Sequence, residues 1–144
     1  MPNGVLDGAA GAFSAQTGKI YLSESVVNGD PALLRAVLLE EVGHYLDSVV
    51  NAQDTPGDEG ELFSALVRGI ELSHGELDRL KTENDQTNIF LNGYSLSIEQ
   101  ANVNWNNSSG GSFTNPTNWT SGVVPGVNDK AVFNLSSSGY SIYT

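Results

Sequence analysis

The 144-residue sequence contains no cysteine, which excludes a disulfide framework and any thiolate metal site. Cationic residues are scarce: six Lys and Arg stand against 17 Asp and Glu, for a formal net charge of −11. That balance argues against nucleic acid and anionic membrane as partners. No apolar run is long enough to cross a bilayer, and no stretch shows the charged, apolar and small-residue segments of a signal peptide. Charge nearly disappears from residues 101–144, which hold only Asp129 and Lys130. Hydrophobic residues make up 39% of the chain, a globular fraction that can supply a core.

What the sequence does contain is centred on Ala32 to Asn51, ALLRAVLLEEVGHYLDSVVN. Asp30 is a good N-cap and Pro31 occupies the first helical position, where its missing N–H costs nothing. Leu33, Leu34, Val37, Leu38, Leu39, Val42, Tyr45, Leu46, Val49 and Val50 then point almost all the way round a helix, a pattern that predicts burial on every side. Glu40, Glu41, His44 and Asp47 nonetheless sit in the middle of it. Buried charges must find partners, a metal or a wet cleft, or take up protons. Glu40 and His44 are four apart and share a face, and Asp47 continues that row. Gly43 weakens a helix interior by about 1 kcal/mol relative to Ala, so a close approach to its backbone is expected there.

Around this helix the spacing predicts an α+β module over residues 1–100, followed by a partial β-repeat over residues 101–144. Met1 to Gly18 reads as an irregular arm and Lys19 to Ser23 as a short strand. A second helix starts at Asp58, with Asp58 and Glu61 forming a capping box and Leu62, Phe63, Leu66, Val67 and Ile70 its apolar stripe. Ser73 and Glu76 form another capping box that opens a short helix, and His74 is placed on its exposed end. Asn92-Gly93 is the preferred pair for a tight hairpin turn. It puts Ile89, Leu91, Tyr94, Leu96 and Ile98 on one face, and a helix is expected to cover that face. Beyond Ala101 the chain is all-β in texture, and Trp105 and Trp119 read as core or turn anchors ahead of carbohydrate platforms.

Glu40-Glu41-Val42-Gly43-His44 has the form of the H-E-x-x-H metallopeptidase motif with Glu in place of the first His. By position, Glu40 and His44 are candidate metal ligands and Glu41 the candidate general base. A third ligand is expected from the second helix, with Glu59 preferred and Glu61 the runner-up, and Asp47 is a candidate partner for His44. Oxygen donors shift the preference from Zn²⁺ toward Mn²⁺, Fe²⁺ or Ca²⁺.

The run from Gly18 to Ala101, with IYLSESVV, LLEEVGHYLD, PGDEGELFSALVRG and SLSIEQA, resembles a module of large secreted bacterial proteins, chiefly cyanobacterial, that often carry haemolysin-type calcium-binding repeats. The module itself looks like a zincin-type metallopeptidase core. The tail, with NPTNW, GVVPG and NDKAVF, is similar to the opening turns of β-solenoid passenger repeats in adhesin-like proteins. These resemblances imply a secreted or cell-surface setting, export without an N-terminal signal and a β-rich structure continuing past Thr144. They also imply a variant or degenerate metallopeptidase acting on its own parent chain or on another polypeptide, without membrane insertion. The competing expectation is a non-catalytic structural or docking module.

Overall fold

A computed structural model describes residues 1–53, 55–127, 129–135 and 139–144, with only the backbone of Asn3 described. The chain is mixed α and β, built on a four-stranded antiparallel sheet. Its strands are β1 (Gly11–Ser14), β2 (Lys19–Leu22), β3 (Gln86–Leu91) and β4 (Tyr94–Ala101), in the order β2-β1-β4-β3.

Strand β1 lies inside the segment expected to be an irregular arm. Its Gly and Ala content hides it from any strand pattern, yet all four residues are buried at the centre of the sheet. The small residues there make room for the long helix. A Cβ on Gly11 would come within 2.6 Å of Val37 Cγ1 and of Glu41 Oε1. The hairpin forms as the turn chemistry predicts: Leu91 pairs with Tyr94, and Asn92 and Gly93 both have positive φ. Ile89, Leu96 and Ile98 are buried, and among the described residues the helical cover is only a short 3-10 turn, Asn3–Leu6, rather than an α-helix. This N-terminal segment packs Leu6 and Ala9 against that face.

Among the described residues four α-helices accompany the sheet: α1 (Glu24–Val27), α2 (Pro31–Val50), α3 (Glu59–Arg68) and α4 (His74–Leu80). Helix α2 starts as its sequence predicts, with Asp30 accepting a 2.7 Å bond from the Ala32 amide. It is not buried on all sides. Its inward face consists of Leu33, Ala36, Val37, Glu40, Glu41, Gly43 and His44, while Val49 and Val50 are 63% and 77% exposed. The second half of the helix therefore turns acids and an imidazole inward and apolar residues outward. Helix α3 is inverted in the same way. Gly60, Glu61, Ser64 and Ala65 face inward, and Leu66 and Val67 of the expected apolar stripe are exposed. Two glycines explain the close crossing of α2 and α3: a Cβ on Gly43 would lie 2.7 Å from Gly60 Cα. Ser64 Oγ locks the pair by donating a buried 2.8 Å bond to the Ala36 carbonyl. The Ser73–Glu76 capping box forms at α4, and His74 is exposed.

The C-terminal stretch contributes β5 (Val103–Asn104), β6 (Gly111–Ser112), β7 (Ala131–Val132) and β8 (Ile142–Tyr143), paired in parallel as β5 with β7 and β6 with β8. Trp105 and Trp119 are fully buried edge-to-face at 5.1 Å and share one core with Val26, Leu33 and Val37. Arg68 of α3 donates to the Thr120 and Ser121 carbonyls at 2.9 Å, tying that stretch to the helix pair. Among the described residues no helix is long and apolar enough to cross a membrane.

Candidate metal centre

The inward stripe of α2 ends at His44, whose side chain is 1% exposed. Its ring lies flat against Gly60, where an added Cβ would fall within 2.6 Å of both Cδ2 and Cε1. The glycine in the DEGE run at the start of α3 is therefore the floor on which the imidazole rests.

Carboxylates face the ring on both edges. Nδ1 is 3.0 Å from Glu99 Oε2 on β4 and 3.6 Å from Glu59 Oε1 in the first turn of α3. Nε2 is 3.2 Å from Asp85 Oδ2, just ahead of β3, and 3.9 Å from Asp58 Oδ1, the N-cap of α3. Among the described residues neither ring nitrogen makes an aligned hydrogen bond, and Glu40 Oε1, Glu59 Oε2 and Asp85 Oδ2 are likewise buried without one. Polar atoms of this kind are rarely left unsatisfied in folded proteins.

Two sets of donor atoms meet at the ring. Glu40, His44 and Asp58 lie within 4.8 Å of one another, as do His44, Glu59 and Glu99. These groups are close enough to bind a metal ion. The structure thus places Glu40 with His44, and Glu59 with His44, but in different sets. Glu61 is engaged elsewhere. It does not close a capping box, because its carboxylate takes the Arg79 guanidinium and the Asn104 amide, while its backbone N–H bonds Asp58 Oδ1. Asp47 spends its oxygens on Asn51 and Thr55 at the end of α2. Although burial acts to raise it, those hydrogen bonds hold its carboxyl below the usual range.

Glu41 is fully buried on the sheet side of α2, with Oε1 facing the bare backbone of Gly11, and neither of its oxygens has a hydrogen-bond partner among the described residues. Burial, above all, pushes its carboxyl well above the usual carboxylate range. Burial does the same to Glu40, reinforced by the charges of Asp58, Glu61 and Glu41, and to Asp58, reinforced by Glu61 and Asp85. Asp85 is raised to about 7, mainly by burial. For His44 burial acts to lower the pKa, but Glu59, Glu99, Asp85 and Asp58 outweigh it and push the imidazole up to about 12. All of these shifts have one origin: negative charge concentrated in a dry place, with a single imidazole to answer it.

Clefts adjoin the cluster: a small one of about 130 Å³, lined by Asp58 and Glu59 with Leu62, Leu77 and Leu80, and two more. One, of about 180 Å³, is lined by Phe13, Gln16, Gln86, Ser97 and Glu99 among others. The other, of about 470 Å³, runs along the loop that includes Gly57, Thr82 and Asp85.

Asp58, Asp85 and Glu99 were not among the predicted site residues. Asp58 was accounted for as a helix cap. Glu99 carried a usable signal, since it alternates with Ile98 and therefore leaves the hairpin face that Ile98 buries, turning toward α2. Asp85 stands in a polar loop, and nothing in its local sequence distinguishes it. No family model matches the chain, and neither do any curated protein or solved structure.

Proposed function

We propose that this chain is a divalent-cation-binding module of zincin-like design, in which the cation joins the α2–α3 helix pair to the sheet. One observation carries the reading: a fully buried imidazole meets carboxylates at both nitrogens and has an aligned hydrogen bond to none of them. Imidazole and carboxylate are the donors that divalent transition ions take, and one nitrogen among many oxygens favours Mn²⁺ or Fe²⁺ over Zn²⁺. Bound there, a dication supplies positive charge and Lewis acidity. His44 supplies the nitrogen, and Glu40 with Asp58 or Glu59 with Glu99 supply the oxygens. Gly60 and Gly43 let the ring and the second helix come close enough to share them. The secreted or cell-surface setting rests on the resemblance of the Gly18 to Ala101 run.

Metal quantification on the purified chain tests the proposal. About one equivalent of transition metal, lost in His44→Ala, supports it. A wild-type chain that takes up none of Mn²⁺, Fe²⁺ or Zn²⁺ overturns it.

Peptide hydrolysis is a second reading, favoured by the position of Glu41 one residue after the leading Glu40 and by its two unpartnered oxygens. In that reading Glu41 accepts a proton from the attacking water, and the substrate is a polypeptide, either the parent chain or a neighbouring secreted protein. The reading requires cleavage that stops in Glu41→Gln while metal content is unchanged. Its absence leaves a non-catalytic structural or docking module.

A further inference from the structure

The cation reading leaves open which edge of the imidazole is the donor, and a neutral imidazole has only one lone pair to offer. We infer that the cation is seated on the Nδ1 edge, held by His44 Nδ1, Glu59 and Glu99, with Asp85 facing the opposite nitrogen as the group that fixes the ring tautomer. This assignment rests on the cation reading above and makes Glu99, on β4, a metal ligand.

The two edges differ physically. The Nδ1 edge has the shortest approach, 3.0 Å from nitrogen to Glu99 Oε2, with Glu59 Oε1 at 3.6 Å. Those separations fit two ligands of one ion, each about 2.0–2.2 Å from it, and Nδ1 has no aligned hydrogen bond among the described residues. Glu59 and Glu99 are also the partly exposed acids of the cluster, at 20% and 14%, against 3% for Asp58 and 5% for Asp85. That exposure lets an ion reach the two acids from water, and each lines a cleft, Glu99 one of about 180 Å³ and Glu59 one of about 130 Å³. On the Nε2 edge, Asp85 Oδ2 at 3.2 Å is buried and lacks a partner among the described residues. Metal-bound histidines commonly give their second N–H to such a carboxylate, which sets the tautomer and raises ligand basicity.

An open seat of this kind has consequences beyond stability. Three protein donors, two of them partly exposed, leave a coordination position for an exchangeable ligand. Through Glu99 the ion bonds to the sheet, so the chain's own β-hairpin forms one wall of the position an exchangeable ligand would occupy.

The test uses the full 144-residue chain, titrated with Mn²⁺ and Zn²⁺ by calorimetry, and with Cd²⁺ for ring-nitrogen NMR of ¹⁵N-labelled protein. Glu59→Gln and Glu99→Gln are each expected to weaken binding by at least about tenfold, the effect of disturbing a metal-site group, while Glu40→Gln and Asp58→Asn stay close to wild type. The NMR spectrum should place Cd²⁺ on Nδ1 and the proton on Nε2. Because Glu59 is partly exposed in a first helical turn, its Gln variant retains the fold even if the Glu99 variant does not. Binding that survives Glu59→Gln and Glu99→Gln but is lost in Glu40→Gln or Asp58→Asn, or Cd²⁺ found on Nε2, overturns the assignment and leaves the cation reading intact. A wild-type chain that binds no metal overturns both.

Discussion

On the cation reading, removing metal and raising the pH should destabilise this protein, the reverse of the usual acid denaturation. Asp85 shows why. Its carboxyl titrates at 3.8 when free of the fold and at about 7 in the folded chain, with burial the main cause. A carboxyl raised in this way contributes its full stability below the unfolded value and loses it as pH climbs through the folded one. At about 1.4 kcal/mol per pH unit, the interval amounts to about 4 kcal/mol lost between roughly pH 4 and pH 8. Glu40, Glu41 and Asp58 are raised for the same reason and act in the same direction. So does His44: a folded value near 12 means that its contribution is complete below the unfolded 6.5 and is lost as pH rises above it. Urea unfolding in EDTA at a series of pH values measures the total. Asp85→Asn should flatten the curve by about the same 4 kcal/mol, and cation at ~100 times its Kd should restore about 2.7 kcal/mol at the alkaline end. Stability that is level or rising from about pH 4 to pH 8 in EDTA, or an unchanged slope in Asp85→Asn, would refute the claim that these acids are buried together with too little positive charge to answer them.

Two further outcomes follow from the packing and the ion pairs. Gly60→Ala puts a methyl into the ring of His44, so it should cost about 1–3 kcal/mol in chemical denaturation and abolish metal uptake. An added methyl that leaves both intact would mean the ring does not rest on that glycine. Arg79→Met leaves the fully buried Glu61 without its guanidinium partner and should cost about 3–5 kcal/mol. The pair Arg79→Met and Glu61→Met together should recover much of that loss, as read by a double-mutant cycle.

Helix α2 was legible because capping is local: Asp30 and Pro31 define its start from neighbouring residues alone. The same holds for the Ser73–Glu76 box and the Asn92-Gly93 turn. Within the candidate site, Glu40, Glu41 and His44 could be read because one helix carries all three at known spacing. The inward direction of the stripe could not. Apolar residues surround α2 on every side, so periodicity gave no preference, and contact with β1 and α3 chose the acidic face. That choice was made by small residues, Gly11, Gly43 and Gly60, whose value lies in what they allow to come near.

The amino-acid order by itself determined where α2, α3, α4 and the hairpin begin and turn, though not the short α1 in the stretch read as a link, and that one helix carries two acids and an imidazole within a single turn and a half. These are consequences of short-range hydrogen bonding and of the 3.6-residue period. Only the tertiary structure decided that Gly11–Ser14 is a central strand, that Glu61 belongs to Arg79, and that Asp85, just ahead of β3, and Glu99, on β4, meet His44. Each of those depends on groups far apart in the chain being brought within a few ångströms by core packing, and no local pattern encodes that distance.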